Sequence, residues 1–135
     1  MASRRVRTIT QKVVVPATPA QVYAAFLDPR IHAAFTGSPA TGSARAGGKF
    51  TAWDGYIFGI NRELVKGRRI VQEWQTTEWP EDAAPSSVEF SFETVEGGTE
   101  IRMVHSKVPA EQADAYRQGW IDYYWEPLKA YFIRR

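Results

Sequence analysis

The chain reads as an α+β protein: a curved antiparallel sheet of about six to seven strands, two short helices, and one long C-terminal helix across the concave face. Three observations predict this. From 38 to 107 the apolar residues follow period two, punctuated by turn signals at Asp54-Gly55, Lys66-Gly67 and Gly97-Gly98. Residues 110–133 switch to spacings of three and four. No helical pattern separates the middle strands, so they form serial hairpins rather than crossover units. With 135 residues, one domain spanning 1–135 is expected.

The first strand is RRVRTITQKVVV (4–15), a β-branched run closed by Pro16. Thr18 then offers an N-cap and Pro19 occupies the first helical position, where its missing N–H costs nothing. Val22, Ala25 and Phe26 share a face, and Asp28-Pro29 stops that helix. A second short helix covers 29–35 with Ile31 and Phe35 as its apolar pair, ending at Gly37. The Gly, Ser, Ala and Pro-rich stretch 37–48 reads as a loop. Strands follow at 48–55, 56–65 and 69–79, the first two joined by the two-residue Asp54-Gly55 turn. After the loop PEDAAP (80–85), the strand 86–96 alternates Val88, Phe90 and Phe92 against Glu89, Ser91 and Glu93. The last strand, 99–109, puts Ile101, Met103 and His105 on one side. A helix over 110–133 aligns Ala113, Tyr116, Trp120, Tyr123, Tyr124, Pro127, Leu128 and Tyr131, with a kink expected at Pro127.

Composition removes several function classes. With no cysteine there is no disulfide framework, thiolate metal site or cysteine nucleophile, and a reducing, cytoplasmic setting is expected. Two histidines, His32 and His105, make a histidine-based zinc site or catalytic triad a poor fit, so neither metal nor cofactor is expected. The N-terminus lacks the apolar core of a signal peptide, and no run of about 18 apolar residues would span a membrane. Residues 1–70 carry 11 Lys and Arg against 3 acids, whereas 71–135 carry 6 against 12. The basic residues are scattered, so mutual offset of the two halves is expected rather than a nucleic-acid surface. Asp54-Gly55 is only a turn, and neither Gly47-Gly48 nor Gly97-Gly98 makes a phosphate cradle.

Five Trp, six Tyr and seven Phe make the aromatic content the most informative feature. A sheet curled round a helix encloses a volume, and ligand cavities are mostly apolar and aromatic with a few orienting polar groups. The expected contributors from the sheet are Phe58, Trp74, Phe90, Phe92, Met103 and His105. From the helix they are Tyr116, Trp120, Tyr123 and Tyr124. Trp74, Trp120, Tyr123 and Tyr124 are the strongest candidates, and the same rings could instead fill a solid core. His105 is expected to be a core histidine bonded to a Tyr or Trp of the helix, with a general-base role as the alternative. His32 is expected at the surface near the cavity mouth. Arg62 and Glu63, adjacent in one strand, are expected to face oppositely, with a solvated strand face the simpler reading.

The segments VPATPAQVYAAFLDPRIHAAFTG, DGYIFGINRELVKGRRIVQEWQTTEWP, SSVEFSFE, His105 to Pro109, and GW-x-x-YYW-x-x-LKAY resemble one family in order and content. It is the C-terminal domain of the activator of Hsp90 ATPase with its stand-alone bacterial relatives, within the Bet v 1-like, START-like helix-grip superfamily. The resemblance covers about residues 8–133 and implies a helix-grip fold. In the eukaryotic activator a separate N-terminal domain carries the stimulating contacts to Hsp90, and this chain starts at the first strand of the C-terminal-like domain. The leading expectation is therefore a non-enzymatic protein that binds a small hydrophobic or aromatic ligand in the cavity. An Hsp90-type chaperone is the alternative partner, and an enzyme acting at His105 on a polyketide-like substrate is the third reading. A homodimer through an exposed edge strand is also expected.

Overall fold

In the computed structural model, which describes residues 5–133, seven antiparallel strands form a single sheet. They are β1 (Val6–Val15), β2 (Thr41–Gly42), β3 (Lys49–Ala52), β4 (Ile57–Val65), β5 (Arg69–Thr76), β6 (Ser86–Val95) and β7 (Gly98–Pro109). Their order is β1-β7-β6-β5-β4-β3-β2, so β2 through β7 form a meander and β1 returns to pair with β7. The helices are α1 (Pro19–Leu27), α2 (Pro29–Thr36), α3 (Ala113–Trp120) and α4 (Glu126–Ile133). Among the described residues no helix is long and apolar enough to cross a membrane.

The entry to α1 follows its chemistry. Thr18 Oγ1 accepts from the Gln21 N–H at 3.2 Å, and Gln21 Oε1 accepts from the Thr18 N–H at 2.9 Å. This reciprocal capping box satisfies two otherwise orphan donors. Thr18→Ala is expected to cost about 1 kcal/mol. That loss should read as a fall of about 3 °C in the thermal midpoint, with ligand binding unchanged. Asp28 then ends α1 and caps α2, its carboxylate accepting from the Arg30 N–H at 2.9 Å.

Period two holds where it was cleanest. Val88, Phe90 and Phe92 of β6 and Ile101, Met103 and His105 of β7 all point inward and are buried. Phe26 of α1 stacks on Phe90 at 4.5 Å between ring centres, joining helix and sheet at the middle of the core. Several details depart from expectation. The stretch 37–48 is not all loop, because Thr41 and Gly42 pair with β3. Buried Asn61 ties this stretch down: its Nδ2 donates to the Ser43 carbonyl at 2.8 Å, and its Oδ1 accepts from Gln72 at 2.9 Å. The β3–β4 turn is four residues long, Trp53–Tyr56, with positive φ at Trp53, Asp54 and Gly55. Strand β5 stops at Thr76, three residues short of the expected end.

A bulge between Asn61 and Glu63 turns both Arg62 and Glu63 outward instead of alternately. Arg62 pairs there with Glu73, and Glu63 with Arg69 at 3.2 Å. Arg69 also reaches Glu89 at 3.2 Å, so bases of the first half do meet acids of the second.

The C-terminal helix is not continuous α. A 3₁₀ turn (Ala110–Gln112) leads into α3, and a π-helical turn (Ile121–Trp125) separates α3 from α4. The Glu126 N–H reaches back five residues to the Ile121 carbonyl. The widened turn lies immediately before Pro127, which has no N–H and whose ring crowds the carbonyl four residues earlier. The expected kink is thus taken up as a π turn. It brings Trp125 beneath Trp120, stacked at 5.7 Å, and makes Tyr124 and Trp125 both buried although adjacent. Trp125 Nε1 donates to Gln11 Oε1 at 2.7 Å, and Gln11 Nε2 donates to the Arg117 carbonyl at 2.9 Å. These bonds hold the helix against β1.

Candidate functional site

The volume between sheet and helix is divided in two. One half is solid: Phe26, Phe90, Phe92, Met103, Trp125 and Leu128 fill it. The other half opens as a groove of about 810 Å³ between the β3–β4 turn, the end of β5 and α3 with its π turn. This lies in the ordinary range of small-molecule cavities.

Of the ten residues expected at the cavity, Trp74, Tyr116, Trp120, Tyr123 and Tyr124 line this groove. Phe90, Phe92, Met103 and His105 are buried but do not line it, and His105 lies directly behind Trp74 and Trp120. Phe58 is misassigned: in β4 it is Ile57 that is buried and lines the groove, so its neighbour Phe58 takes the opposite face. Tyr123 is 57% exposed and sits at the mouth rather than inside, against Trp53 at 5.4 Å between ring centres. Trp53, Tyr56 and Glu78 also line the groove and were not expected there. They occupy a turn and the segment after a strand, where no periodicity reports facing. Their one signal was the clustering of aromatic and acidic residues beside turn residues.

Both histidines are buried and hydrogen-bonded within the fold. His105 is fully buried, and its two nitrogens are engaged. Ser86 donates its only proton to the Trp74 carbonyl at 2.6 Å, so it accepts from His105 Nε2–H at 2.8 Å. That leaves Nδ1 as the acceptor for Trp120 Nε1–H at 3.1 Å, fixing the neutral tautomer. Burial pulls its pKa down to about 3. The expected core histidine bonded to a helix Trp is what the structure holds. No nitrogen is left for a substrate.

His32, expected at the surface, is buried at 8% exposure. Its Nδ1–H donates to the Phe26 carbonyl at 3.2 Å, so Nε2 accepts the Tyr124 hydroxyl proton at 3.0 Å. Burial lowers its pKa, despite the opposing effect of the Phe26 carbonyl. The physical reason is that α2 folds back on α4, covering a ring that the local sequence presents as a polar helix position. Tyr124 is in turn held neutral by burial, which raises its pKa.

The groove's polar groups form one connected set. Tyr56 donates its hydroxyl to Glu78 Oε1 at 2.5 Å, and burial followed by this bond raises its pKa. Gln112 Nε2 donates to the Glu78 carbonyl at 2.7 Å, and Gln112 Oε1 accepts from the Tyr116 hydroxyl at 3.3 Å. Tyr116 also bonds Thr76 at 2.8 Å, and burial raises its pKa too. Trp53 stands apart. It holds φ at 52°, uncommon for a bulky side chain, and its indole N–H is buried with only a weak interaction with the Tyr124 hydroxyl.

A family model described as "Activator of Hsp90 ATPase homolog 1-like protein" matches residues 16–133. The human "Activator of 90 kDa heat shock protein ATPase homolog 1" is 36% identical over 124 residues, covering 92% of this chain and 36% of that protein. The chain therefore spans about a third of the length of the curated relatives it matches. The crystal structure of an HSP90 activator from Plasmodium falciparum superposes with a TM-score of 0.67 at 30% identity, over 78% of this chain and 74% of that one. Ara h 8.0201 superposes with a TM-score of 0.76 at 14% identity, over 97% of this chain and all of that one, which is a likeness of fold alone.

Proposed function

The chain belongs to the activator of Hsp90 ATPase homolog 1-like family and has the helix-grip fold, and on that premise we propose that it binds a small apolar or aromatic molecule in the groove beside α3. The observation that carries this reading is the groove itself: about 810 Å³ walled by Trp74, Trp120 and Tyr124, with hydroxyl and amide groups at its edge. Behind the groove the core residues Phe90, Met103 and Leu128 are almost fully buried, so this opening sits against a well-covered core. Binding rather than catalysis fits His105, whose nitrogens both serve Trp120 and Ser86. A thermal-shift screen of lipids and aromatic compounds, followed by native mass spectrometry, tests it. Ligand at 100 times Kd should add about 2.7 kcal/mol of stability. Absence of any shift across a broad panel would remove the proposal.

A second reading, interaction with an Hsp90-type chaperone, is supported by the 36% identity to the human activator over nearly the whole chain. Its measurement is the steady-state ATPase rate of such a chaperone with and without this protein; an unchanged rate would count it out. Both readings would place the protein in the cytoplasm. Homodimerisation through β2, which ends the sheet, would show in sedimentation.

A further inference from the structure

We infer that the groove selects a small organic cation, an alkyl- or arylammonium compound, seated among aromatic rings with its charge toward Glu78. This deepens the cavity-binding reading and rests on it. Seven of the thirteen residues lining the groove are Trp or Tyr, whose ring faces carry negative potential and attract cations. Its formal charges are the carboxylates of Glu78 and Glu111; among the described lining residues there is no Lys, Arg or His. Glu78 takes part in no ion pair among the described residues, and its Oε1 is already oriented by the Tyr56 hydroxyl. An anionic ligand would enter against the Glu78 carboxylate, and a neutral one without a donor there would displace water from Glu78 without replacing its hydrogen bonds. A cation satisfies rings and carboxylate together.

Three probes of one shape separate the possibilities: 4-hydroxyphenyltrimethylammonium, the neutral 4-tert-butylphenol, and the anionic 4-hydroxybenzenesulfonate. Binding to the full chain is followed by calorimetry and by quenching of tryptophan fluorescence. The expected result is at least about tenfold tighter binding of the cation than of the neutral probe, with the anion weakest. Added salt should weaken the cation alone. Glu78 is exposed, so Glu78→Gln should fold normally, checked by circular dichroism, and reduce the preference to about threefold or less. If the neutral or anionic probe binds as tightly as the cation, or if Glu78→Gln leaves the preference intact, the cation assignment is overturned while cavity binding stands. If none of the three binds at millimolar concentration, both fail.

Discussion

Trp120→Ala is expected to remove about 3–5 kcal/mol of stability, the usual range for deleting a large buried aromatic. Trp120 is 4% exposed and touches the core on several sides: Trp125 stacked at 5.7 Å, Tyr124 at 4.8 Å, Phe90 edge-on at 5.7 Å and Trp74 at 5.6 Å. Its N–H is also the donor that satisfies His105 Nδ1, so truncation strands a buried acceptor as well as opening a void. Trp120→Phe keeps part of the ring contact but still orphans His105, and should cost less than the alanine change. Urea unfolding measures both, with the midpoint falling and the slope unchanged. A loss below about 1 kcal/mol for the alanine variant would mean that the neighbouring rings close over the vacancy.

Acid destabilisation is the second large effect, and its window identifies the cause. In the fold His105 is held neutral with a pKa near 3, against 6.5 for the free side chain. The unfolded chain therefore takes up protons first as the pH falls. Stability from this residue is complete above about 6.5 and declines from there toward 3. Each pH unit in that window costs about 1.4 kcal/mol, so about 2–3 kcal/mol should be gone by pH 4.5. His32, lowered by burial too, adds in the same direction. Asp28 and Glu100, with carboxyl pKa values lowered chiefly by bonds to Arg30 and Arg102, begin to contribute only below the ordinary carboxylate range. Urea midpoints at pH 7.5, 6, 5 and 4.5, compared between the native chain and His105→Gln, isolate the contribution of this histidine. Equal slopes in the two proteins would show that His105 does not carry it.

The same residue shows how far one-dimensional patterns reach. His105 falls in step with Ile101 and Met103, and strict alternation was enough to bury it; the helix Tyr or Trp expected as its partner is Trp120. His32 has no such pattern: a helix of eight residues with a mixed face says little about which side another helix will cover. Phe58 and Ile57 are both apolar, so period two offered two phases, and the pairing of Ile57 with Ala52 and Thr76 decides between them. Arg62 and Glu63 escaped alternation through a bulge that neither residue type announces. Trp125 lies off the helical stripe read from spacing, and the π turn ahead of Pro127 moves it onto the buried face.

What this sequence determined by itself is the succession of elements, the curved antiparallel sheet gripped by a C-terminal helix, and the gathering of aromatic rings between them. Those follow from local periods, caps and turn residues, each set within a few positions along the chain. Only the tertiary structure decided that the rings both plug and line the enclosed volume, packed solid around Phe26 and Phe90 and open beside Trp53, Tyr56 and Glu78. The physical reason is that facing and filling depend on strand register, helix phase and the approach of segments far apart in sequence, and a single bulge or widened turn shifts all three.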